Sequence, residues 1–386
     1  MRVALNVEQL LHRPPGGIGR YTAELARLLP ALHDDGEHCD VVPFVARHSR
    51  ASIERALGNF GLRDSDPVRL LLPRPLLYDT WNLIGFPPLG MLHRSLRNVD
   101  LVHAPSLAVP PHSGVPLVVT VHDAAAIVFP ETYPRRGRWF HHRGSITAAR
   151  RADVVIAPTM AAAEEISSRT PIPRERIRVI PHGVTQLPVG EGVVAATRAT
   201  LGVGDAPYVL WVGTLEPRKN LPVLINAFRV VVEERNLPHR LVIVGPSGWL
   251  DTEDVIRAPA EALGERIHFT GPVRADRLQA LYRGADLFAF PSLHEGFGLP
   301  VLEAMAQSTA VLCADIPVLH EVAGDAARFV TPHDPEAWGH AIINLLLDDD
   351  ARASLASRGR VRAASFTWER CVNRTRAVYR DVLGLS

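Results

Sequence analysis

Leu287-Phe288-Ala289-Phe290-Pro291-Ser292-Leu293-His294-Glu295-Gly296-Phe297-Gly298-Leu299-Pro300-Val301-Leu302-Glu303-Ala304-Met305-Ala306 carries the chain from a short apolar run, through a glycine loop, into a helix-patterned segment. The run Leu287–Phe290 reads as a buried strand. Pro300 has no N–H to lose, and its φ is preset for the first helical position. A helix is therefore expected to open at about Leu299–Pro300 and to run through Ala306. The Gly-Phe-Gly loop then delivers backbone amides and a helix N-terminus to one spot. Glu295 lies before that turn and Glu303 in the first turns of the helix, so both carboxylates can face one ligand. Carboxylates accept well from vicinal hydroxyls such as those of ribose and hexose. Glu303 also has a plain structural explanation, since an acid near a helix start gains about 0.3–1 kcal/mol from the macrodipole. Glu295 has none.

The same alternation of short β-branched runs and helical patterns extends outward in both directions, which is the signature of parallel strands joined by crossover helices. In the first half the strand candidates are Val3–Val7, Val41–Val45, Leu101–His103, Leu117–His122, Val154–Ala157 and Ile177–Ile180. In the second they are Tyr208–Val212, Arg240–Val244, Ile267–Thr270, Leu287–Phe290, Ala310–Cys313 and Ala327–Val330. A chain of 386 residues exceeds the size at which one core stops growing. The expected fold is α/β, with two Rossmann-like doubly wound domains at 1–190 and 191–364. A terminal helix at 365–386, apolar at Phe366, Trp368, Val372, Val378, Tyr379 and Val382, needs a hydrophobic partner and is expected to find it on the first domain. Pro181–Val184 and the Gly- and Pro-bearing stretch 186–204 read as the linker. Open α/β sheets bind ligands beyond the carboxyl ends of their strands, so two such domains are expected to face each other across a ligand cleft.

Formal net charge is +1, which argues against a nucleic-acid partner. The first 190 residues hold 22 Arg against 17 acids, a balance of +5, and the remainder holds 20 Lys+Arg against 24 acids, a balance of −4. Cys39, Cys313 and Cys371 have no paired spacing, so no disulfide framework or thiolate metal site is expected. No secretory signal or membrane span is read, and a reducing cytoplasm is the expected compartment.

One lysine occurs among the 42 Lys+Arg, Lys219, and it lies in Gly213-Thr214-Leu215-Glu216-Pro217-Arg218-Lys219-Asn220 immediately after a strand. A compact ammonium suits a phosphate oxygen in a tight pocket better than a planar guanidinium does, whereas a solvated loop residue would explain the same letter. After the first strand, Arg13-Pro14-Pro15-Gly16-Gly17-Ile18-Gly19-Arg20-Tyr21 precedes a helix with Leu25, Leu28 and Leu29 on one face. Glycines at such a turn can cradle a phosphate, although they also serve turn geometry alone. His122 and Asp123 follow an apolar strand at the sheet edge where ligands bind. From Arg135 to Arg151 there are six arginines, including Arg135, Arg136 and Arg138, with Trp139, Phe140, His141 and His142 and no acid. Such a helix fits an anionic lipid surface or an acceptor bearing a lipid phosphate, and equally a solvated basic face.

The Glu-x7-Glu segment, the Gly-Gly-Ile-Gly-Arg-Tyr turn and Gly-Thr-Leu-Glu-Pro-Arg-Lys-Asn, in this order over essentially the whole chain, resemble retaining family 4 glycosyltransferases of the GT-B fold. Bacterial mannosyltransferase-like members that build surface polysaccharides and glycolipids are the most similar. The resemblance implies that Glu295 contacts donor-sugar hydroxyls, with the amides of Phe297, Gly298 and Leu299 near the sugar and phosphates. It implies Glu303 on the ribose, Arg218 and Lys219 on the diphosphate with help from Gly16 and Gly17, Val273 beside the base, and His122 on the transferred sugar. Asp123, Arg135 and Arg136 would lie on the acceptor side. Many members carry arginine where this chain has Thr214, so Arg218 is the candidate second cation. The expected reaction moves a hexose, mannose favoured, from a nucleotide diphosphate sugar, GDP-mannose favoured, to a glycan or lipid-linked acceptor. No metal or cofactor is expected. A non-catalytic sugar- or lipid-surface-binding protein and a GT-B enzyme of another reaction, such as a nucleotide-sugar epimerase, are the competing readings. A pyridoxal-dependent phosphorylase is disfavoured because the lone lysine sits in the diphosphate motif.

Overall fold

The computed structural model describes residues 1–12, 16–31, 38–111, 113–248 and 253–385. The chain divides into two compact units. The first comprises Met1–Pro130, Arg135–Gly183 and Trp368–Ser386, and the second comprises Glu131–Pro134 and Val184–Thr367.

In the first unit β1 (Arg2–Asn6), β2 (Asp40–Arg47), β3 (Val68–Pro73), β4 (Leu101–Ala104), β5 (Leu117–Thr120), β6 (Val154–Ala157) and β7 (Ile177–Val179) form one sheet in the order 3-2-1-4-5-6-7. Every pairing is parallel. β4 and β5 are buried along their whole length, as strands covered by helices on both faces must be. β3 is the strand that sequence pattern does not reveal. It is an edge strand with Arg69 and Leu71 exposed, and its terminal Pro73 passes directly into the helix Arg74–Leu83, so its short Leu70–Leu72 run has no flanking turn to mark it as a strand.

In the second unit β8 (Tyr208–Val212), β9 (Arg240–Val244), β10 (Ile267–Gly271), β11 (Leu287–Phe290), β12 (Val311–Ala314) and β13 (Arg328–Val330) form a second all-parallel sheet, ordered 10-9-8-11-12-13. Its core includes the fully buried Tyr208, Trp211, Phe228, Tyr282, Phe288, Phe290 and Trp338. Aromatic side chains of this kind dominate core energetics, each worth roughly 1.5–3 kcal/mol when fully buried.

Both sheets reverse direction once, between β1 and β4 and between β8 and β11. At such a point adjacent loops diverge beyond the strand ends and leave a crevice. The expected helix after β11 spans Leu299–Ala306. The terminal helix spans Trp368–Leu383, groups with the first unit and packs against the helix Gly16–Leu28.

Three expectations are corrected. The stretch 186–204 is not an open linker, because Glu191–Thr200 is a helix started by Gly190 and packed on the helix Ala275–Arg283, and the division between units falls at Gly183/Val184. β5 ends at Thr120, two residues short of His122. Gly16 and Gly17 do not form a turn ahead of the helix but are its first residues, while Arg13, Pro14 and Pro15 lie outside the described residues.

Candidate functional site

β8 and β11 are neighbours in the sheet, so the loops leaving their carboxyl ends lie side by side. Four hydrogen bonds join them. Leu293 N–H donates to the Arg218 carbonyl at 2.9 Å, and Arg218 Nη1 donates to the His294 carbonyl at 2.6 Å. Lys219 Nζ donates to Glu295 Oε1 at 2.6 Å. Asn220, held in the left-handed region at φ 54°, donates from Nδ2 to the carbonyls of Pro291 at 3.1 Å and Pro332 at 2.6 Å. The Lys219 motif and the loop that follows β11 are thus one structure.

Its charges are confined. Glu295 is 8 % exposed. Burial alone would raise its pKa, but the charges of Lys219 and Arg218 and the Lys219 hydrogen bond outweigh burial and hold the carboxyl below its ordinary value. Arg218 Nη1 lies 3.5 Å from Glu295 Oε2, and Nη2 donates to Glu216 Oε1 at 2.7 Å. Lys219 also lies over the Phe290 ring, 5.2 Å from its centroid. Arg218 is therefore committed within the protein on several sides, whereas Lys219, an ammonium with three donors, makes one close bond to Glu295.

The helix Leu299–Ala306 begins beside Glu295 in sequence. Its N-cap, Gly298, has φ 90°, and a Cβ there would come within 2.7 Å of Leu319 Cδ2, so only glycine fits. Phe297 turns its ring into the core against Phe366, with centroids 6.0 Å apart, leaving its backbone as the part that can serve a ligand. Leu299 and Val273 are partly buried against the same core. Glu303 Oε2 accepts from Tyr282 Oη at 3.1 Å, which fixes the carboxylate with respect to a fully buried ring.

A third loop completes the scaffold and was not singled out from sequence. Gly245-Pro246-Ser247-Gly248 follows β9, and Leu215 N–H donates to the Pro246 carbonyl at 3.0 Å. Gly245 N–H donates to Gly271 at the end of β10, also at 3.0 Å. A Cβ on Gly245 would stand 1.8 Å from the Gly213 oxygen. The available signal was a Gly-Pro turn after a strand, which marks a loop but not its neighbours.

In the first unit His122 stands just beyond β5. Its Nε2 lies 3.0 Å from the Pro105 carbonyl, which can only accept, so Nε2 carries the proton. Nδ1 then accepts from His182 Nε2 at 3.2 Å. Burial lowers both pKa values, that of His182 strongly, so both rings are neutral near pH 7. Tyr21 packs against both, at centroid distances of 5.3 Å and 4.5 Å, and Trp368 stacks on His182 at 6.2 Å. His182 is the residue that sequence reading assigned to a linker; a Pro-His-Gly string signals a turn and nothing about where its imidazole points. Behind this pair His103 bridges Thr120 Oγ1 at 2.9 Å and Tyr379 Oη at 2.5 Å, and burial pushes it down to about 3.

The remaining candidates are placed as follows. Gly16 has φ 59° with open space where a Cβ would be. Asp123 Oδ1 accepts from Ala125 N at 3.0 Å, just ahead of the short helix Ala125–Val128, whose N-cap is Ala124. Arg135 and Arg136 open the helix Arg135–Arg151, and Arg136 pairs with Asp79 at 2.9 Å. The cysteines are buried thiols. Among the described residues no three His, Cys, Asp or Glu side chains form a metal-binding group, and no helix is long and apolar enough to cross a membrane.

Two family models cover most of the chain: Glycosyltransferase Family 4 over residues 15–185 and Glycosyl transferases group 1 over residues 195–362. A D-inositol 3-phosphate glycosyltransferase from Salinispora arenicola is 30 % identical over 97 % of the chain and 90 % of its own length. The chain is a family 4 glycosyltransferase. An O-antigen chain mannosyltransferase B from Escherichia coli is 28 % identical over 98 % of this transferase and all of its own length. Anabaena HepE, solved with UDP and glucose, superposes with a TM-score of 0.74 at 20 % identity, covering 99 % of the transferase and 100 % of HepE. WaaG, a glycosyltransferase involved in lipopolysaccharide biosynthesis, gives 0.68 at 18 %, over 97 % and 99 %. The transferase accordingly has the GT-B fold.

Proposed function

We propose that the transferase moves a hexose, mannose favoured, from a nucleotide diphosphate donor to a glycan or lipid-linked acceptor with retention at the anomeric carbon and without a metal ion. The observation that carries this reading is the Lys219–Glu295 pair at the β8/β11 switch point, beside the start of the helix Leu299–Ala306. An anion entering there meets an ammonium, a guanidinium and a helix N-terminus in one place, which is the positive charge a departing diphosphate requires.

In this reading Lys219 is the diphosphate ligand, with Arg218 contributing field from behind. Glu295, kept ionised by those two cations, accepts from donor-sugar hydroxyls, and Glu303, oriented by Tyr282, accepts from the ribose. Phe297, Gly298 and Leu299 contribute backbone, and Val273 an apolar surface for the base. The first unit contributes Gly16 and Gly17 to the diphosphate and a neutral, tautomer-fixed His122 to the transferred sugar, while Asp123, Arg135 and Arg136 belong to the acceptor side. The anomeric carbon loses its bond to the diphosphate oxygen and gains one to the acceptor oxygen, while the acceptor's hydroxyl proton passes to the departing diphosphate. Similarity to the mannosyltransferase supports mannose, and GDP-mannose is the favoured donor.

The test is a panel of GDP-, UDP- and dTDP-sugars in thermal shift, followed by product analysis with the stabilising donor. A ligand that binds only the folded protein raises Tm. A rise with GDP-mannose and an axial mannoside, unaffected by chelator, supports the proposal. A rise with UDP-sugars replaces the donor. Binding without transfer to any acceptor favours a binding protein, and an inverted product removes retention.

A further inference from the structure

We propose that the face formed by the helix Arg74–Leu83, the segment following it and the flank of the helix Arg135–Arg151 is a docking surface for an anionic lipid bilayer. Large apolar side chains exposed to solvent are concentrated here: Leu76, Leu83, Ile84, Phe86, Met91 and Trp139, with Ile84 70 % and Met91 63 % exposed. Leu76 and Leu83 are seven apart on one helix and share a face, opposite Leu77, Tyr78 and Trp81, which the core takes. Trp81 Nε1 donates to the Pro87 carbonyl at 3.0 Å and holds the following segment to the helix.

The second helix is held alongside by three bonds. Arg136 pairs with Asp79, Arg143 donates to the Asn82 carbonyl at 3.4 Å, and Arg151 donates to the Trp81 carbonyl at 3.0 Å. Trp139 lies between Arg136 and Arg143 on that same side, so its half-exposed ring adjoins the apolar face. These bonds also divide the arginines. Arg143 and Arg151 are structural, whereas Arg135 and Arg150 on the second helix, and Arg94 just past Met91, remain exposed. Residues 67–99 and 135–152 together hold ten arginines and one acid, Asp79, which is already paired.

Charge selects the occupant. Wide apolar side chains ringed by arginines without a paired acid match acyl chains beneath anionic headgroups, to which each such cation is drawn. A second copy of the same face would set arginine against arginine. Peripheral anchoring needs two cooperating signals, and here an apolar wedge and a basic rim coincide. The basic helix is the rim, and Trp139 is the side chain it adds to the apolar wedge.

The experiment is flotation of the full chain with phosphatidylglycerol/phosphatidylethanolamine vesicles and with phosphatidylcholine vesicles. The parent should float with the first and not the second, and Ile84→Asp/Met91→Asp should lose at least about tenfold in vesicle affinity with Tm unchanged. Should that variant fold poorly, brominated acyl chains provide the second measurement, quenching the parent more than Trp139→Phe. Failure of the parent to float, equal flotation of a folded double variant, or quenching indifferent to Trp139 overturns the proposal. So does a dimer in solution that the double variant dissolves.

Discussion

The charged loops after β8 and β11 and the histidine cluster beyond β5 solve opposite electrostatic problems. In the second unit Glu295 is nearly buried yet kept ionised, because Lys219 and Arg218 lie within reach of its carboxylate. In the first, His122, His182 and His103 are kept neutral by burial and communicate through fixed tautomers and hydroxyls. In the proposed reading, a site that must offset a diphosphate needs permanent charge, and its cations would be pre-positioned by the carboxylate assigned to the sugar. A site that touches a neutral sugar needs donors and acceptors of known polarity and no net charge.

The contrast is broken most severely at Lys219. Lys219→Met leaves Glu295 buried with a weakened partner set, and removing one member of a buried pair costs about 3–5 kcal/mol. Tm should fall accordingly, and turnover should fall on the order of 10³-fold, the scale of losing one transition-state charge contact. Lys219→Met/Glu295→Gln should recover most of the Tm and none of the turnover. Stability recovering together with turnover would contradict the assignment.

Next comes the scaffold of the charged region. Gly245→Ala puts a methyl into the Gly213 carbonyl and should cost at least about 3 kcal/mol in urea unfolding, as overpacking against immobile backbone does. Gly16→Ala, at the start of the helix Gly16–Leu28 in the first unit, meets no neighbouring atom and should cost about 1 kcal/mol from backbone conformation alone.

Acid destabilises both regions but in different pH windows. Glu295 has a folded pKa below its ordinary 4.5, so its contribution is complete above that value and lost as pH falls through the lower folded one. The three histidines have folded values below 6.5. On descending from there the unfolded chain takes up protons that the folded first unit refuses, and stability declines towards the folded values, about 3 for His103. His239 in the second unit shifts the same way, with Asp286 opposing. Hydrogen exchange at about pH 5 should therefore quicken around His103, His122 and His182 while the Lys219–Glu295 loops keep their protection. Simultaneous loss in both regions would remove the distinction.

The mildest test concerns His182. His182→Phe keeps a ring for Tyr21 and Trp368 but takes away the donor to His122. kcat should fall roughly 10- to 100-fold with donor KM little changed and Tm near the parent's, as expected of a positioning residue. An unchanged kcat would leave His182 with packing alone.

What was legible in the sequence follows from locality. The strand–loop–helix at 287–306 announced itself because proline, glycine and apolar spacing act over a few residues, and Lys219 stood out because it is the sole lysine. The join between Lys219 and Glu295 depends on β8 and β11 pairing across a crossover, which no local pattern encodes. His182 was hidden by its turn-forming neighbours and β3 by its exposed edge. The helix Glu191–Thr200 escaped because its stability lies in packing on Ala275–Arg283 rather than in its own glycine-bearing sequence.

Calorimetric titration of GDP-mannose and UDP-glucose into the parent and into folded Lys219→Gln tests the central claim directly. The account predicts that one donor binds the parent and that its affinity drops at least tenfold, about 1.4 kcal/mol, in the variant. Equal affinity for parent and variant would place the nucleotide sugar elsewhere.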